Sequence, residues 1–267
     1  MIYPRYIQRY PATLFILVLV ALLFGSFPFA ALGPGPANNI LGDAVKIDPL
    51  IGGSSKVDGK LLTTTVLVTT PGAHMTALSV LSYWIDGKSV IYPREFLYSA
   101  KETTAQTKAQ GKAEMAHSQI DAIRAANEFI AKNFPSALAK SQLNNGANTL
   151  LDARDVTITL KETGGPSAGL AFTLALLAKT VDPHLFSGKN VAVTGTISSN
   201  GEVGRIGGID QKLSGARRAG AILFFLPLSN CRDITRVPAG LRAVPVDTLA
   251  QAFGYLKAPQ IPASAHC

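Results

Sequence analysis

VTITLKETGGPSAGLAFTLALLA, residues 156–178, joins an alternating β-branched stretch to a long apolar run through a turn rich in glycine and proline. Alternation at every second residue favours a strand, and an apolar run of this length favours a buried helix. Ser167 lies in the turn, GGPSAG, where the first N–H groups of the following helix have no partner within that helix. Glycines on both sides allow backbone conformations that a side chain would forbid. The position suits a nucleophile, provided that the chain also supplies a base.

Other stretches follow the same two periodicities, so the sequence predicts an α/β (mixed α+β) fold. We expect strands at 61–70, 156–160, 190–198, 202–206, 221–227 and 241–246, and helices at 101–134, from the GGPSAG turn to 179, at 209–220 and at 247–256. Asn200-Gly201 is a strong signal for a two-residue hairpin between the strands that flank it. Residues 75–85 fit either a helix or a strand, since periodicity does not separate the two there.

The N-terminal region contains 22 consecutive residues without charge, at 12–33. A helix of that length roughly spans a ~30 Å hydrocarbon core. Arg5 and Arg9 precede it, so the positive-inside rule leaves the N-terminus in the cytoplasm and the remainder outside. A cleaved signal peptide is the alternative, although the stretch is longer than a usual h-region and lacks a good A-x-A site. The sequence thus predicts a single-pass anchor in the inner or plasma membrane with an extracytoplasmic catalytic part.

Composition excludes several classes of function. The 267 residues carry a net charge of +8, but Lys and Arg form no run of five and are not interleaved with aromatic residues. This argues against nucleic acid as a partner. The four histidines are scattered without HExxH, so we expect no metal site. No G-x-x-x-x-G-K-[ST] occurs, so we expect no nucleotide cofactor and no ATPase in these residues.

Two cysteines, Cys231 and Cys267, are the only ones in the sequence. A disulfide is permitted outside the cytoplasm. Two separate thiols, one buried and one in the tail, fit the sequence as well.

Two kinds of residue in this chain, a histidine and a lysine, are candidates for the base that would activate Ser167. GPSAG satisfies G-x-S-x-G, and Ser167, Asp247 and His266 occur in the chain order of an α/β-hydrolase triad. However, His266 lies in a proline-rich tail, a poor place to hold an imidazole. The other source is a lysine, because burial can lower a lysine pKa from ~10.4 toward neutrality. Lys212 lies between apolar residues of a predicted helix, but helical lysines usually face solvent. Its position in the sequence alone therefore does not identify it as the base.

Three stretches taken together resemble the proteolytic domain of the Lon family of Ser–Lys proteases. They are GGPSAGLAFTLALLA (164–178), VAVTGTISSNGEVGRIGGIDQKLSGARRAGA (191–221) and FFLPLSN (224–230). The resemblance implies that Ser167 is the nucleophile, Lys212 the general base, and Thr194 a member of their hydrogen-bond network. The turn that supports them comprises Gly165, Pro166, Ala168 and Gly169.

The chain also resembles the membrane-anchored bacterial Lon-like proteases, which carry one N-terminal span and a PDZ domain. The segment AEMAHSQIDAIRAANEF (113–129) resembles the helix that precedes that PDZ domain. About twenty residues separate Phe134 from Val156, which is too few for a PDZ domain, since domains start near 50 residues. The ATPase domain of full-length Lon is likewise not seen in the sequence.

The resemblance implies a domain organisation and a function. We expect an anchor with its cytoplasmic N-terminus (1–35), a linker (36–55), an extracytoplasmic segment (56–149), a Lon-like proteolytic domain (150–256) and a flexible tail (257–267). The expected function is ATP-independent cleavage of unfolded or flexible polypeptides by a membrane-anchored serine endopeptidase, through an acyl-enzyme. Family members often form rings, so a homo-oligomer is expected by analogy. Two alternatives stay open: a catalytically silent scaffold of the same fold, and a phosphate-binding enzyme.

Overall fold

In the computed structural model, residues 10–48, 56–137, 151–160 and 163–267 are described. The chain divides into two compact units, which we describe separately. The N-terminal unit is Met1–Gly33 with Leu67–Thr107, and the core unit is Pro34–Val66 with Lys108–Cys267.

The named elements follow the chain in this order: α1 (Tyr10–Phe24), β1 (Ser26–Phe27), β2 (Phe29–Asn39), β3 (Val45–Ile47), β4 (Lys60–Val68), β5 (Met75–Thr76), α2 (Ala77–Asp86), β6 (Val90–Pro93), α3 (Thr104–Asn133), β7 (Val156–Ile158), α4 (Gly169–Thr180), β8 (Asn190–Val193), β9 (Thr196–Ile197), β10 (Val203–Gly204), α5 (Ile209–Arg218), β11 (Leu223–Pro227), β12 (Arg242–Val246) and α6 (Leu249–Lys257). Two short 3₁₀ helices lie at Arg94–Phe96 and Leu228–Asp233.

The uncharged N-terminal stretch does not form the single helix predicted over 12–33. Helix α1 ends at Phe24, and β1 and β2 follow. Pro28 cannot donate a backbone hydrogen bond and breaks a helical path, and residues 29–32 instead pair antiparallel with β6. Within the described ranges, no helix has the length and apolarity needed to cross a bilayer. Hydropathy identified an apolar stretch correctly but did not distinguish its helical part from its β part.

The ambiguous stretch at 75–85 is mostly helical. Thr76 caps α2, since its side chain accepts a hydrogen bond from the N–H of Ser79. The helix ends at Gly87, which has a positive φ of 62°, a conformation that glycine adopts without strain. The capping residues Thr76 and Gly87 therefore favour a helix in this stretch, where periodicity did not separate a helix from a strand.

A parallel sheet forms the centre of the core unit. Strand β11 lies between β12 and β8, and β4 pairs with the other side of β8, all in parallel. The predicted strands at 221–227 and 241–246 and the helices at 101–134, 209–220 and 247–256 are confirmed within a few residues. Parallel strands need long crossovers, and helices usually supply them.

Alternate residues of the central strands enter two different apolar clusters. Phe225 belongs to a large cluster that includes residues of α3, α4 and α6. Phe224 and Leu226 belong to a second cluster, in which α5 buries Ile209, Leu213 and Ala216. Successive strand side chains point to opposite faces, so both faces of the sheet are covered, as parallel sheets require.

The strand predicted over 190–198 is interrupted. β8 ends at Val193, and β9 begins at Thr196. Gly195 has a φ of 151° and an added Cβ would lie 2.9 Å from Val203, so glycine is required for the break. β9 then pairs antiparallel with β10, which confirms a hairpin around Asn200-Gly201, but its strands are separated by five residues, 198–202, and not by the two that the sequence predicted.

Segments predicted as linker and tail carry contacts. In the predicted linker, β3 pairs with β7 and Ile40 is fully buried, while residues 49–55 lie outside the described ranges. In the predicted tail, Ile261 is buried, and Cys267 forms a disulfide with Cys231, 36 residues earlier. The cysteine pairing that the sequence left open is therefore a cross-link.

We predict that replacing both cysteines, Cys231→Ser with Cys267→Ser, lowers the free energy of unfolding by about 2–4 kcal/mol, because the cross-link restricts a loop of this length in the unfolded chain. Urea denaturation of the oxidised chain and of the variant would measure the difference. Reduced parent protein should match the variant; equal stability of all three would contradict the prediction.

Candidate active site

The turn that carries Ser167 depends on two glycines with different requirements. Gly165 has a φ of 90°, in the region that favours glycine. At Gly169, the first residue of α4, an added Cβ would lie 2.8 Å from the Ile197 side chain and 2.9 Å from Ser118 Oγ. The first glycine thus shapes the turn, and the second lets α4 approach its neighbours. Ala168 between Ser167 and α4 is buried, which anchors the turn in the core.

Helix α3 holds the turn from the other side. Gly111 O accepts a hydrogen bond from the N–H of Gly165 at 2.9 Å, and Ser118 Oγ donates to Pro166 O at 3.0 Å. Ser118 is only 4% exposed, so this bond is a specific polar contact on an otherwise apolar helix face. The backbone on the N-terminal side of Ser167 is therefore fixed by α3.

Thr194 holds the backbone of the serine itself. It follows β8 directly, and its N–H donates to Phe225 O of β11. Its hydroxyl donates to Ser167 O at 3.2 Å, and the N–H of Gly195 donates to the same oxygen at 2.9 Å. The end of the central strand thus determines where the serine lies.

Lys212 reaches the serine from α5. Its Nζ lies 2.7 Å from Ser167 Oγ and 3.0 Å from Thr194 Oγ1. The lysine is 2% exposed and Thr194 is fully buried, whereas Ser167 is partly exposed. The structure therefore brings together the three residues that the resemblance had singled out, with the serine facing solvent and the amine behind it.

Burial lowers the pKa of Lys212 from its ordinary value of 10.5 to about 7. The ammonium form loses its hydration in the apolar surroundings, which disfavours the charged state. No ion pair between Lys212 and a carboxylate occurs in the part of the chain that the structure describes. A large fraction of this amine is consequently neutral near pH 7 and can accept a proton.

A cleft of about 380 Å³ opens beside the serine. Pro166, Ser167, Thr196, Arg205, Ile206 and Gly207 line it. The volume falls in the range of small ligand sites, and such a cleft next to a nucleophile can hold a substrate side chain.

The α/β-hydrolase triad is not assembled. His266 Nδ1 lies 2.8 Å from Ala263 O in its own tail segment, and the Asp247 side chain is exposed. Lys212, and not His266, is the hydrogen-bond partner of Ser167 Oγ. Ser167, Asp247 and His266 occur in the chain order of a triad, but this order did not predict that their side chains lie close together.

No sequence pattern singled out Ser118 and Gly111 as parts of this site. Both lie in α3, which the sequence predicted as a helix over 101–134 without assigning it any residue of the site. In this helix the apolar Ile120 is 41% exposed, while the polar Ser118 is buried. A serine on the buried face of a helix was the available signal, and it is weak by itself.

Residues 106–252 of the chain match the family model of the Lon protease (S16) C-terminal proteolytic domain. It is 36% identical to the Lon protease of Methanosarcina barkeri over 128 residues, which are 43% of this chain and 15% of that protein. It is 40% identical to the Lon protease of Acinetobacter baumannii over 82 residues, 29% of this chain and 9% of the relative. It is 35% identical to the Lon protease of Neorickettsia sennetsu over 100 residues, which are 36% of this chain and 12% of that protein.

The alignments therefore span less than one sixth of the length of these relatives. The family match, in contrast, covers more than half of the chain, from residue 106 near the start of α3 to residue 252 in α6. On this evidence the chain belongs to the Lon protease (S16) proteolytic domain family, a family of serine peptidases.

Proposed function

We propose that this chain is a serine endopeptidase in which Ser167 is the nucleophile and Lys212 the general base. The observation that carries the proposal is the 2.7 Å separation between Lys212 Nζ and Ser167 Oγ, with the amine buried and the hydroxyl accessible. A Ser–Lys pair is an established variant of nucleophile and base.

The first chemical step is transfer of the Ser167 Oγ proton to the neutral Lys212 amine as Oγ attacks a peptide carbonyl carbon. The resulting ammonium then donates that proton to the leaving amine, and an acyl-enzyme is formed. Thr194 Oγ1 accepts one N–H of the amine, which directs the lone pair toward Ser167. Water, activated by the same amine, hydrolyses the ester and restores the serine.

The negative charge that develops on the carbonyl oxygen needs donors already in position. We assign this role to backbone N–H groups at the start of α4, at Ser167 and Ala168. The N-terminus of a helix also carries a partial positive charge. The two hydrogen bonds to Ser167 O and the burial of Ala168 would keep these groups in place during the reaction.

The substrates proposed are unfolded or flexible polypeptides, and ATP is not required. The open cleft beside the serine supports the substrate class, and independence of ATP is proposed for these 267 residues alone, whose sequence contains no P-loop. A ring-shaped homo-oligomer, implied by the family resemblance, belongs to the proposal as an analogy.

The alternative of a catalytically silent scaffold is disfavoured by the site itself. A scaffold has no need for an amine of lowered pKa buried against an accessible hydroxyl, since burying a lysine destabilises the fold. A phosphate-binding enzyme is disfavoured by the lowered pKa of Lys212, about 7, because a phosphate site is better served by an amine that stays charged.

An extracytoplasmic location at a membrane surface is the last part of the proposal. The disulfide between Cys231 and Cys267 supports an oxidising compartment. Helix α1 is apolar on all sides, and its exposed large side chains include Leu17 at 66% and Val20 at 46%. Exposed apolar surface of this extent is typical of an interaction site, and Arg5 and Arg9, which precede α1 in the sequence, would favour anionic headgroups.

We predict that the full chain cleaves casein and that Ser167→Ala abolishes cleavage. ATP with Mg²⁺ should leave the parent rate unchanged. Ser214→Ala, on the helix of Lys212 but without a contact to Ser167, is the matched control and should retain full activity. Gel electrophoresis of timed reactions would provide the measurement. Cleavage by the Ser167→Ala variant would refute the assignment of Ser167 as the nucleophile. A requirement for ATP would refute the proposal that cleavage is ATP-independent.

We predict that kcat/KM rises with pH with a midpoint near 7, because only the neutral amine accepts the proton. For a pKa of about 7, the rate at pH 6 should be roughly tenfold below the plateau. Initial rates of casein cleavage between pH 6 and 9 would measure the profile. Lys179 is also buried with a lowered pKa, so Lys179→Met serves as control and should keep the midpoint. A profile flat over this range would contradict the role of Lys212.

We predict that the full chain floats with vesicles of phosphatidylglycerol and phosphatidylcholine in a density gradient. Leu17→Asp with Val20→Asp should remove most of this binding, since charged side chains oppose insertion into lipid. Leu228→Asp changes a side chain of the core unit that is 47% exposed and should leave flotation intact. Recovery of the parent at the bottom of the gradient would exclude lipid association.

A further inference from the structure

A short segment, residues 205–208, serves both the cleft and the lysine helix. Arg205, Ile206 and Gly207 line the cleft beside Ser167. Gly208 precedes α5, and its carbonyl accepts a hydrogen bond from the N–H of Lys212 at 3.0 Å. A displacement of this segment would therefore alter the substrate wall and the position of the base together.

Asn230 binds the backbone of this segment from the 3₁₀ helix Leu228–Asp233. Its Oδ1 accepts from the N–H of Ile206 at 3.0 Å, and its Nδ2 donates to Ile206 O at 2.9 Å. Nδ2 also donates to Asp233 Oδ2 at 2.8 Å. Asn230 is 0% exposed, so loss of its amide would leave buried backbone groups without partners, which is costly.

An exposed ion pair supplements this buried contact. Arg205 Nη2 lies 2.6 Å from Asp233 Oδ1, and Arg205 Nη1 donates to Ser229 O at 3.0 Å. Because the Arg205 side chain is 60% exposed, solvent weakens the pair, and surface ion pairs contribute little. The buried amide of Asn230 is therefore the principal contact between the two segments.

We propose that Asn230 is a positioning residue of the active site, which fixes the backbone of Ile206 and thereby both the cleft wall and the start of the helix that carries Lys212. Its hydrogen bonds go to Ile206 and Asp233, and it acts on Ser167 and Lys212 only through this segment. The kinetic consequences rest on the proposed function.

The chemistry of the side chain explains the choice of residue. Ile206 presents one N–H and one C=O in a segment outside the β-ladders. A carboxamide supplies an acceptor and a donor in one plane, whereas a carboxylate supplies only acceptors. Asparagine therefore imitates a strand partner at a place where the sheet provides none.

The test compares Asn230→Ala with Ser229→Ala in the full chain. Asn230→Ala should lower kcat/KM for casein at least tenfold and raise the pH midpoint above that of the parent, because a displaced α5 would admit water to the Lys212 amine. Ser229→Ala should retain the parent values, since Arg205 contacts the backbone oxygen of Ser229. A role in stability alone would lower the melting temperature and leave the pH midpoint of the folded variant unchanged.

A second readout does not depend on activity. With ¹³C at lysine Cε, an NMR titration follows the Lys212 resonance directly, and its midpoint should rise in Asn230→Ala. If that variant is unfolded by circular dichroism, Asn230→Asp replaces it, because it keeps the acceptor and removes the donor. Parent-like kcat/KM and midpoints in the folded variant would overturn the proposal. Failure of the parent to cleave casein would refute the proposed function, while the titration would still decide the positioning role.

Discussion

The structure of the core unit is organised around one unfavourable placement, an amine buried between two hydroxyl groups. The lysine of the unfolded chain titrates near 10.4, and in the folded protein the pKa of Lys212 is about 7. Below pH 7 both states bind the proton, and the folded state bears the full cost of burying the charge. Between about pH 7 and 10.4 the unfolded chain binds more protons, so the free energy of unfolding rises with pH across this window. Packing elsewhere must offset this cost.

Three different elements meet at the amine, and each is held by the apolar core. The serine precedes α4, whose residues from Gly169 to Lys179 are all buried. Thr194 follows the central strand β8, and the lysine helix buries Leu213 against the opposite face of the sheet. Functional groups at the ends of packed elements keep their mutual distances because the elements cannot shift separately.

Structure that depends on neighbouring residues could be predicted from the sequence, whereas structure that depends on contacts between distant residues could not. Periodicity predicted most helices and strands, and the three residues that the resemblance singled out, Ser167, Lys212 and Thr194, lie within hydrogen-bond distance of one another. The spanning helix over 12–33 was wrong because hydropathy does not register strand pairing at residues 29–32. Ser118 was missed, and Asn230, although it ends the quoted stretch FFLPLSN, was given no role, because each is a single polar residue whose partners lie far away in the chain. Whether Cys231 and Cys267 pair likewise depends on a distance that only the fold provides.

The contacts of residues 258–267 have a consequence if the protein cleaves flexible chains, as proposed. Arg242 donates two hydrogen bonds to Ile261 O and one to Pro262 O, and the disulfide ties Cys267 to Cys231. A peptidase with an open cleft presents its own loose segments at a far higher local concentration than any other substrate. Under the proposed function, a segment held by these hydrogen bonds and by the disulfide would be kept from extending into the cleft, so the same restraints would limit self-digestion.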